Sequence, residues 1–482
     1  MKNGNIMKHT PFPYEDLALL TVELPDSVKN LRYSGRFEEA LREIDRLLSD
    51  DSMPHYDPIM KRRLELERFL AAELAEDYSV PFDKMVERFR EKHPSFTERD
   101  LCALIDSGHA DFMYKPDGIY FENAAFSNLS ECCSDYLRQL DDPSFVPSAR
   151  PSEVQHDNMR RMRENGKHSW KYRVNGWIAP DAEHERPGEY VRVWIPFPAI
   201  TPEQSGIRLL AASHQATISD SPIRTVYGEF RYHSGERFET TVEFTNTAVY
   251  HELSEAVATD TVPPEVRRYL TEVEPHIVFT PYLRRLAAYI VGGVTNPLTK
   301  ARRIYDYVTG HVKYSYTREY RLFDNIPMYA AVNGRGDCGV QALLFITLCR
   351  ISGVPARWQS GNGVHPTTSS GVGSDGSAGR VGSHDWAQFY VAPYGWLPCD
   401  PSFGGGAKKR GDDEAWNWYF GNLDPYRYIS CTEFQRQLEP AKRFMRMNPY
   451  DNQSGEIEYF DEALSFSDII GSKSLVYAER II

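Results

Sequence analysis

The feature that most constrains this chain is the stretch 335–342, Arg-Gly-Asp-Cys-Gly-Val-Gln-Ala, which opens a strongly apolar helical pattern. Apolar side chains recur from there at helical spacing up to Ile351, and the Ser-Gly-x-Pro sequence that follows is typical of a helix end. We therefore predict that Cys338 begins a helix and that Asp337 is its N-cap. Unpaired backbone N–H groups at a helix N-terminus favour an anion, so they would lower the pKa of the thiol.

The alternative for a lone cysteine is a small buried side chain without a chemical role. Here Gly336 and Gly339 flank Asp337 and Cys338 and would leave the sulfur unshielded, and a cysteine that only packs needs no N-cap before it. These neighbours favour a nucleophilic cysteine. We expect Cys338 to be the most reactive of the seven cysteines.

Two β-rich runs follow the helix, Ser383–Val391 and Trp396–Pro401, joined by a Pro-Tyr-Gly turn. A hairpin with this turn places position 384 opposite a residue between about 400 and 403, so His384 and Asp400 fall at the same end of the two strands. Asp385 is the alternative partner for the histidine. Because adjacent strand residues point to opposite faces, we expect Asp385 to lie away from it.

These residues meet the requirements of nucleophilic catalysis. A cysteine nucleophile needs a base within hydrogen-bond reach, and the base needs a third group that fixes its tautomer and ring orientation. A lone histidine is more often structural, but His384 is paired with a carboxylate and follows a cysteine that opens a helix. Cys338, His384 and Asp400 are therefore the candidate catalytic residues.

The same residues, in the same order and spacing, resemble the core domain of the transglutaminase-like superfamily. The resemblance rests on Gly-Asp-Cys-Gly at 336–339, Ile-Ser-Gly-Val-Pro-Ala-Arg at 351–357, His-x-Trp at 384–386, and Tyr-Gly-Trp with Asp-Pro at 394–401. The helical segment at 296–314 also looks like the helix that precedes the cysteine in that family. The resemblance covers about residues 275 to 430.

That superfamily has a papain-like catalytic layout and includes protein cross-linking transglutaminases, peptide N-glycanases and many bacterial members regarded as cysteine proteases. The resemblance implies that Cys338 is the nucleophile, His384 the general base and acid, and Asp400 the orienting carboxylate. It also implies a papain-like catalytic core, which we place at residues 270–482 together with a C-terminal extension.

Two further regions precede this core. Residues 1–150 are predicted to form a mainly helical domain, because apolar side chains recur at i, i+3, i+4 and i+7 over 37–48 and again over 59–74. Residues 165–260 alternate polar and apolar side chains between Pro, Gly and Asp turns, which predicts a β-sandwich-like domain. The expected fold class is therefore α+β.

The implied reaction is acyl transfer on an amide through a thioester intermediate. A backbone N–H at the helix start would help to hold the oxyanion, and Asn333 and Gln341 are the side chains near enough in sequence to add a donor. Trp358 and Trp386 are candidates for the wall of a substrate cleft. The other tryptophans of the region are expected in the core.

Three functions stay open at this point. Water as acceptor would make the protein a protease or amidase, an amine would make it a cross-linking transglutaminase, and a vestigial triad would make it a peptide- or glycan-binding module. We favour hydrolysis, because the acidic run at 412–414 has no glycine-turned loop of the calcium-binding kind that the animal cross-linkers would need. No metal and no cofactor are predicted, since no second His/Cys pair completes a zinc site.

Composition limits the partners and the compartment. A net charge of −13 and a pI near 5.6 disfavour nucleic acid and anionic membranes, whose binding needs a basic surface. The expected partner is a peptide or protein amide substrate, with cell-wall-type peptides among the candidates. The apolar run at 17–20 is short and flanked by acidic residues, which makes it a poor signal peptide, and the cysteines form no regular disulfide framework. We therefore expect a cytoplasmic protein.

A Gly- and Ser-rich segment, Gly361–Gly382, leads into His384. It has few apolar residues to bury, so we expect a weakly ordered loop that covers the active site, with an inert surface insertion as the alternative. His365 within it is expected to be solvated.

Overall fold

The computed structural model describes residues 13–49, 58–146, 152–366 and 378–481. Its fold is of the α+β class. The helices are α1 (Asp26–Tyr33), α2 (Phe37–Ser49), α3 (Pro58–Asp77), α4 (Phe82–Lys92), α5 (Glu98–Asp106), α6 (Ala125–Cys132), α7 (Ser134–Asp141), α8 (Glu153–Asn165), α9 (Pro281–Val291), α10 (Pro297–His311), α11 (Ile326–Asn333), α12 (Cys338–Ile351), α13 (Pro401–Lys409) and α14 (Asp413–Trp418). Among the described residues, no helix is both long and apolar enough to cross a membrane.

Most strands belong to the middle and C-terminal parts of the chain. They are β1 (Val80–Pro81), β2 (Phe112–Lys115), β3 (Gly118–Phe121), β4 (Lys167–Pro180), β5 (Tyr190–Pro196), β6 (Gln204–Ala212), β7 (Ala216–Ile218), β8 (Thr225–Arg231), β9 (Phe238–Val249), β10 (Lys313–Tyr314), β11 (Arg335–Gly336), β12 (Ala356–Pro366), β13 (Gly379–Val391), β14 (Gly395–Cys399), β15 (Arg427–Cys431), β16 (Glu456–Tyr459) and β17 (Ile469–Arg480). Short 3-10 turns cover Tyr14–Thr21, Pro264–Leu270, Tyr320–Leu322 and Phe466–Asp468.

Two antiparallel sheets pack around a common apolar core. The larger has the order β15-β12-β13-β17-β4-β9-β6, with β14 paired to β13, and the smaller has the order β16-β5-β8-β7. Side chains from β4 and β9 meet those from β5 and β8 in one buried cluster. This is the sandwich-like packing expected for residues 165–260. Strands β16 and β17, which lie far beyond residue 260, complete it, so the sandwich is not closed within that segment.

The N-terminal helices attach to the rest of the molecule. Helices α4 to α7 and the β2–β3 hairpin enclose a small core of their own, whereas α3 contributes to the main core that surrounds α12. Arg32 is buried and donates from both Nη atoms to Asp324, at 2.8 and 2.9 Å, while its Nε lies 2.5 Å from Glu67. The domain boundaries at 150, 165, 260 and 270 stay a prediction.

Helix α12 begins at Cys338, as the sequence predicts. Asp337 is its N-cap, because its Oδ1 accepts a hydrogen bond from the Val340 N–H at 3.1 Å. The helix is buried on every side between the β12–β13 ladder and the helices α9, α10 and α11, so its sequence is apolar almost throughout. Its N-terminus therefore lies deep in the molecule.

The predicted hairpin is formed by β13 and β14. Val391 pairs with Gly395 and Ala387 pairs with Cys399. The same register, continued along both strands, places position 402 opposite position 384. Strand β14 ends at Cys399, and Asp400 is the N-cap of α13. The register thus brings Asp400 to the strand end that carries His384.

The Gly/Ser-rich segment differs from the expected loop at both ends. Strands β12 and β13 pair from Ala356↔Phe389 to Pro366↔Gly379, so residues 361–366 and 379–382 are strand. Residues 367–377 lie outside the described residues. His365 is partly buried, with its ring centroid 6.3 Å from that of Tyr426, and is thus not fully solvated as expected.

Candidate active site

His384 is held by a fixed carboxylate. Its Nε2 lies 2.7 Å from Oδ2 of Asp400, and Nη2 of Arg427 forms an ion pair with the same oxygen at 2.9 Å. Oδ1 of Asp400 accepts from the Phe403 N–H and from the Ser402 hydroxyl, each at 2.9 Å. Together, the contacts with these four residues fix the Asp400 carboxylate in one orientation.

The charge state of this pair follows from its surroundings. Burial alone would raise the pKa of Asp400, but the charges of His384 and Arg427 hold it well below its usual range. An ionised carboxylate only accepts hydrogen bonds, so Nε2 of His384 donates to it. The lone pair of the neutral ring then lies on Nδ1, which is the nitrogen that can take up a proton.

Cys338 contacts Asp385. Its Sγ lies 3.3 Å from Oδ2 of Asp385, to which the thiol donates, and the residue is only 9% exposed. Burial, followed by the charges of Asp385 and Asp337, raises the pKa of the thiol well above its usual value. The predicted lowering of this pKa is therefore wrong for this conformation. Burial of the thiol and the charges of Asp385 and Asp337 raise its pKa by more than the partial positive charge of about half a unit at the helix N-terminus can lower it.

Asp385 itself belongs to a buried acidic network. Gln453 donates its amide to Oδ1 of Asp385, and Asp451, which accepts from the Ser360 hydroxyl at 2.7 Å, contacts the same carboxyl group. Burial, and then the charge of Asp451, raises the pKa of Asp385, because two carboxyls in contact cannot both ionise easily. His384 and Asp385 thus have different partners, as strand alternation predicts.

A cavity of about 360 Å³ opens beside His384. Tyr314 lines it too, and in the β10–β11 pair Tyr314 lies opposite Gly336, two residues before Cys338. Burial, and then the charges of Cys338 and Asp337, raises the pKa of Tyr314. The cavity therefore borders the base and a residue whose strand pairs with the segment before the cysteine helix, although no hydrogen bond joins Cys338 to His384 in the part of the chain that the structure describes.

Gly339 permits close packing around the helix start. A Cβ at this position would lie 2.2 Å from the Tyr320 hydroxyl and 2.9 Å from the Trp358 ring. The Tyr320 hydroxyl donates to the Asp337 carboxylate that caps the helix. The glycine after Cys338 hence serves tight packing; it does not leave the sulfur unshielded, as the sequence suggested.

The two predicted oxyanion donors are engaged elsewhere. Asn333 is exposed at the end of α11, and its Nδ2 donates to the Tyr329 carbonyl of the same helix at 3.0 Å. Gln341 is buried, and its Nε2 donates to the Gly336 carbonyl at 3.0 Å, which fixes the segment before Cys338. Each of these contacts uses one of the two N–H donors of an amide, so a role of Asn333 or Gln341 in holding the oxyanion stays a prediction.

The two predicted cleft tryptophans are core residues. Trp358 and Trp386 are 1% and 0% exposed, and the Trp386 indole donates to Gln359 at 2.7 Å. The Trp386 ring lies 5.8 Å from the His384 ring and 4.7 Å from the Arg427 guanidinium, so it packs beside the His384–Asp400 pair. Among the described residues, the aromatic lining of the cavity beside His384 comes from Tyr314, Phe403, Tyr419 and Tyr426.

We predict that iodoacetamide at about pH 7 modifies Cys102 before Cys338. Cys102 is exposed, whereas the Cys338 thiol is buried and has a raised pKa. The rate at Cys338 should rise with pH, and Asp385→Asn, which removes the carboxylate beside the thiol, should move that rise to lower pH. Mass spectrometry of digests over a pH series measures both rates. Fast labelling of Cys338 at about pH 6 in the unaltered chain would restore the sequence-based expectation.

The model of the transglutaminase-like superfamily matches residues 284–401 of this chain. Residues 284–401 form a transglutaminase-like domain. The resemblance seen in the sequence motifs is thereby confirmed at the level of the superfamily. Cys338, His384 and Asp400 all lie inside the transglutaminase-like domain, and their catalytic roles stay predictions.

Other similarities cover parts of the chain. An uncharacterized protein of Haemophilus influenzae is 27% identical over 155 residues, which are 29% of this chain and 42% of that protein. A solved "Putative Cysteine Protease" from Cytophaga hutchinsonii aligns with 65% of this chain and 98% of its own, at 12% identity and a TM-score of 0.37. The periplasmic domain of TgpA from Pseudomonas aeruginosa aligns with 50% of this chain and 97% of its own, at 15% identity and a TM-score of 0.28.

Proposed function

We propose that the transglutaminase-like domain is a cysteine hydrolase that cleaves amide bonds through a thioester on Cys338. The observation that carries this proposal is the His384–Asp400 pair: a charged, fully buried carboxylate accepts from Nε2, so Nδ1 is left as the basic nitrogen beside a cavity. Tyr314, which lines the same cavity, pairs with Gly336 in the segment that leads into the Cys338 helix.

The reaction would begin with a change of partner for the thiol. In the described conformation Cys338 donates to Asp385, so its side chain has to rotate about the Cα–Cβ bond to turn the sulfur towards His384. Nδ1 of His384 then takes the thiol proton, and the thiolate attacks the amide carbonyl. The imidazolium returns the proton to the leaving amine, and water finally opens the thioester with His384 as base.

Two structural features would assist these steps. The Cys338 N–H lies at the start of α12, where helix N–H groups have no partner within the helix, and it can donate to the oxyanion. The buried Asp400 charge stabilises the imidazolium that forms when His384 is protonated. Among the residues the structure describes, Cys338 and His384 thus supply the covalent and proton-transfer steps.

The substrate we propose is an amide of a peptide or protein, with cell-wall-type peptides among the candidates. The cavity beside His384 is of the size that binds small ligands or side chains, and its described lining carries both signs of charge, including Arg410, Asp412 and Asp424. Such a lining suits a polar, zwitterionic segment better than a purely apolar one. The cytoplasmic location expected from the sequence stays a prediction.

A peptide library incubated in ¹⁸O-labelled water, with dansylcadaverine as a competing amine, tests the proposal. We expect new C-termini that carry ¹⁸O, and no products from Cys338→Ala. Dansylcadaverine adducts that form faster than ¹⁸O products would show a cross-linking transglutaminase. If both forms retain peptides equally and release no product, the domain is a binding module.

A further inference from the structure

Two tyrosine hydroxyls in the cavity beside His384 lack partners within the described structure. Tyr419 and Tyr426 line this cavity, although the two residues are only 5% and 8% exposed. Neither phenolic hydroxyl has a hydrogen-bond partner among the described residues, and neither oxygen is sealed from water, so both face the cavity. Buried polar side chains ordinarily have a partner, and a ligand is therefore expected to supply one here.

Arg410 gives the same cavity a positively charged donor. It lies at the end of α13, where it is exposed, and its guanidinium forms no ion pair or hydrogen bond with any residue that the structure describes. Its charge acts on the Tyr419 hydroxyl, so the two groups lie near each other. Burial raises the pKa of Tyr419 and of Tyr426 well above the usual range, so both phenols keep their protons at neutral pH and can donate together with the arginine.

The two carboxylates that line the cavity already have partners of their own. Asp412 accepts from the Ala415 N–H at 3.1 Å, and its other oxygen lies 2.9 Å from Nε2 of His156. Asp424 accepts from the Tyr426 N–H and from Nη2 of Arg427, each at 3.0 Å. The described lining therefore has donors to spare, and what it lacks is a negatively charged acceptor.

These donors lie close to the proposed base. The Phe403 ring stacks on the His384 ring with 4.2 Å between their centroids, and the Tyr419 ring meets the Phe403 ring edge-on at 5.5 Å. A single ring thus separates Tyr419 from His384, a gap that about three residues of extended chain can span. A group bound at the Tyr419 hydroxyl would belong to the part of a substrate next to the reacting amide.

From these contacts we infer that the cavity binds a carboxylate of the substrate, so that the preferred substrate is a peptide with a free carboxylate within about three residues of the scissile amide. Arg410 forms an ion pair with this carboxylate, and the Tyr419 and Tyr426 hydroxyls donate to it. A neutral polyhydroxy ligand would satisfy the two hydroxyls but leave the arginine charge without a counter-ion. The scissile amide rests on the proposed function, whereas binding of the carboxylate does not need Cys338.

Saturation-transfer NMR titrations of the unaltered chain at low salt test this inference with three peptides. N-acetyl-tetra-alanine offers a C-terminal carboxylate, its C-terminal amide offers none, and the amide of N-acetyl-Ala-Glu-Ala-Ala offers only an acidic side chain. We expect at least one of the two carboxylate peptides to bind at least about tenfold more tightly than the tetra-alanine amide. The peptide that binds more tightly identifies whether the carboxylate comes from a C-terminus or from a side chain.

Two variants of the cavity should weaken this binding. Arg410→Gln and Tyr419→Phe are each expected to lower the affinity for the carboxylate peptide by about tenfold and to leave the affinity for the amide unchanged. Lys409→Gln is the matched control, because it removes the positive charge of the neighbouring exposed residue, which does not line the cavity. On a hydrolysed substrate with a nearby carboxylate, the two cavity variants should raise KM by a larger factor than they lower kcat.

Four results would overturn the inference. They are the absence of saturable binding by either carboxylate peptide, equal affinity for the acid and amide forms, unchanged affinity in both cavity variants, and an equal loss of affinity in Lys409→Gln, which would indicate a general effect of charge. Thermal melting checks the folding of each variant, and a folding defect in Tyr419→Phe leaves Arg410→Gln as the test.

The carboxylate site and the proposed hydrolysis fail separately. Peptides that bind as expected but release no ¹⁸O product would contradict the hydrolysis and leave the carboxylate site in place. Products with ¹⁸O that show no preference for a nearby carboxylate would contradict the carboxylate site and leave the hydrolysis in place.

Discussion

Cys338→Ala is expected to lower turnover by a factor of about 10⁴ or more and to leave the fold intact. The substitution removes the only atom that can form the thioester. In the described structure the thiol donates one hydrogen bond, to Asp385, so its loss should lower the free energy of unfolding by about 1 kcal/mol. Initial rates on any substrate identified by the labelled-water experiment, together with urea unfolding, measure the two effects.

Cys349→Ala is the matched control for this substitution. Cys349 lies in the same helix, is fully buried, and loses the same sulfur atom without belonging to the candidate site. Its turnover should equal that of the unaltered chain even if its stability falls by a few kcal/mol. Turnover that survives Cys338→Ala would exclude a thioester on Cys338 and with it the proposed hydrolysis mechanism.

The parts of the site that were predictable depend on local signals. The start of α12 follows from Asp337 as N-cap before an apolar run. The end of the hairpin follows from its turn residues and from the alternation of side chains between the two faces of each strand. Both signals lie within about 20 residues of the side chains they place. The His384–Asp400 contact is a direct consequence of such a register.

The neighbours of Cys338 could not be predicted in this way. Asp385 is 47 residues away in the chain, and it meets the thiol because α12 packs against β13. Gln453 and Asp451 arrive from a C-terminal segment that shows no periodicity towards the site. The helix-end argument gave the wrong direction for the pKa of Cys338 because it contained the backbone dipole but not these later contacts.

The Gly/Ser-rich segment shows how composition can mislead about structure. Gly361 pairs with His384 across the ladder, and a Cβ at Gly361 would lie 2.0 Å from the Tyr428 carbonyl on β15. Gly361 therefore permits the close approach of two strands, although the composition of the segment suggested a loop. Arg427, on the same β15, carried no sequence signal and was missed, yet it is one of the two charges that keep Asp400 ionised.

Asp400→Asn should lower kcat by about four powers of ten, as in the comparable serine-protease triad. The amide cannot supply the buried negative charge that stabilises the imidazolium of His384, and its NH₂ group can force the ring into the tautomer with the proton on Nδ1. Folding should survive, because asparagine is also a good N-cap for α13 and Arg427 keeps Asp424 as a partner at 3.0 Å.

Asp385→Asn makes the same chemical change beside the other candidate and gives the matched comparison. Asp385 contacts the thiol and not the imidazole, so this variant should keep most of its turnover, while the rise of kcat/KM with pH begins at lower pH as the thiol loses its acidic neighbour. Rates measured over a pH series, with urea unfolding of each variant, separate the two roles. A four-decade loss in Asp385→Asn together with near-normal turnover in Asp400→Asn would transfer the orienting role to Asp385, and the strand-alternation argument would then be wrong.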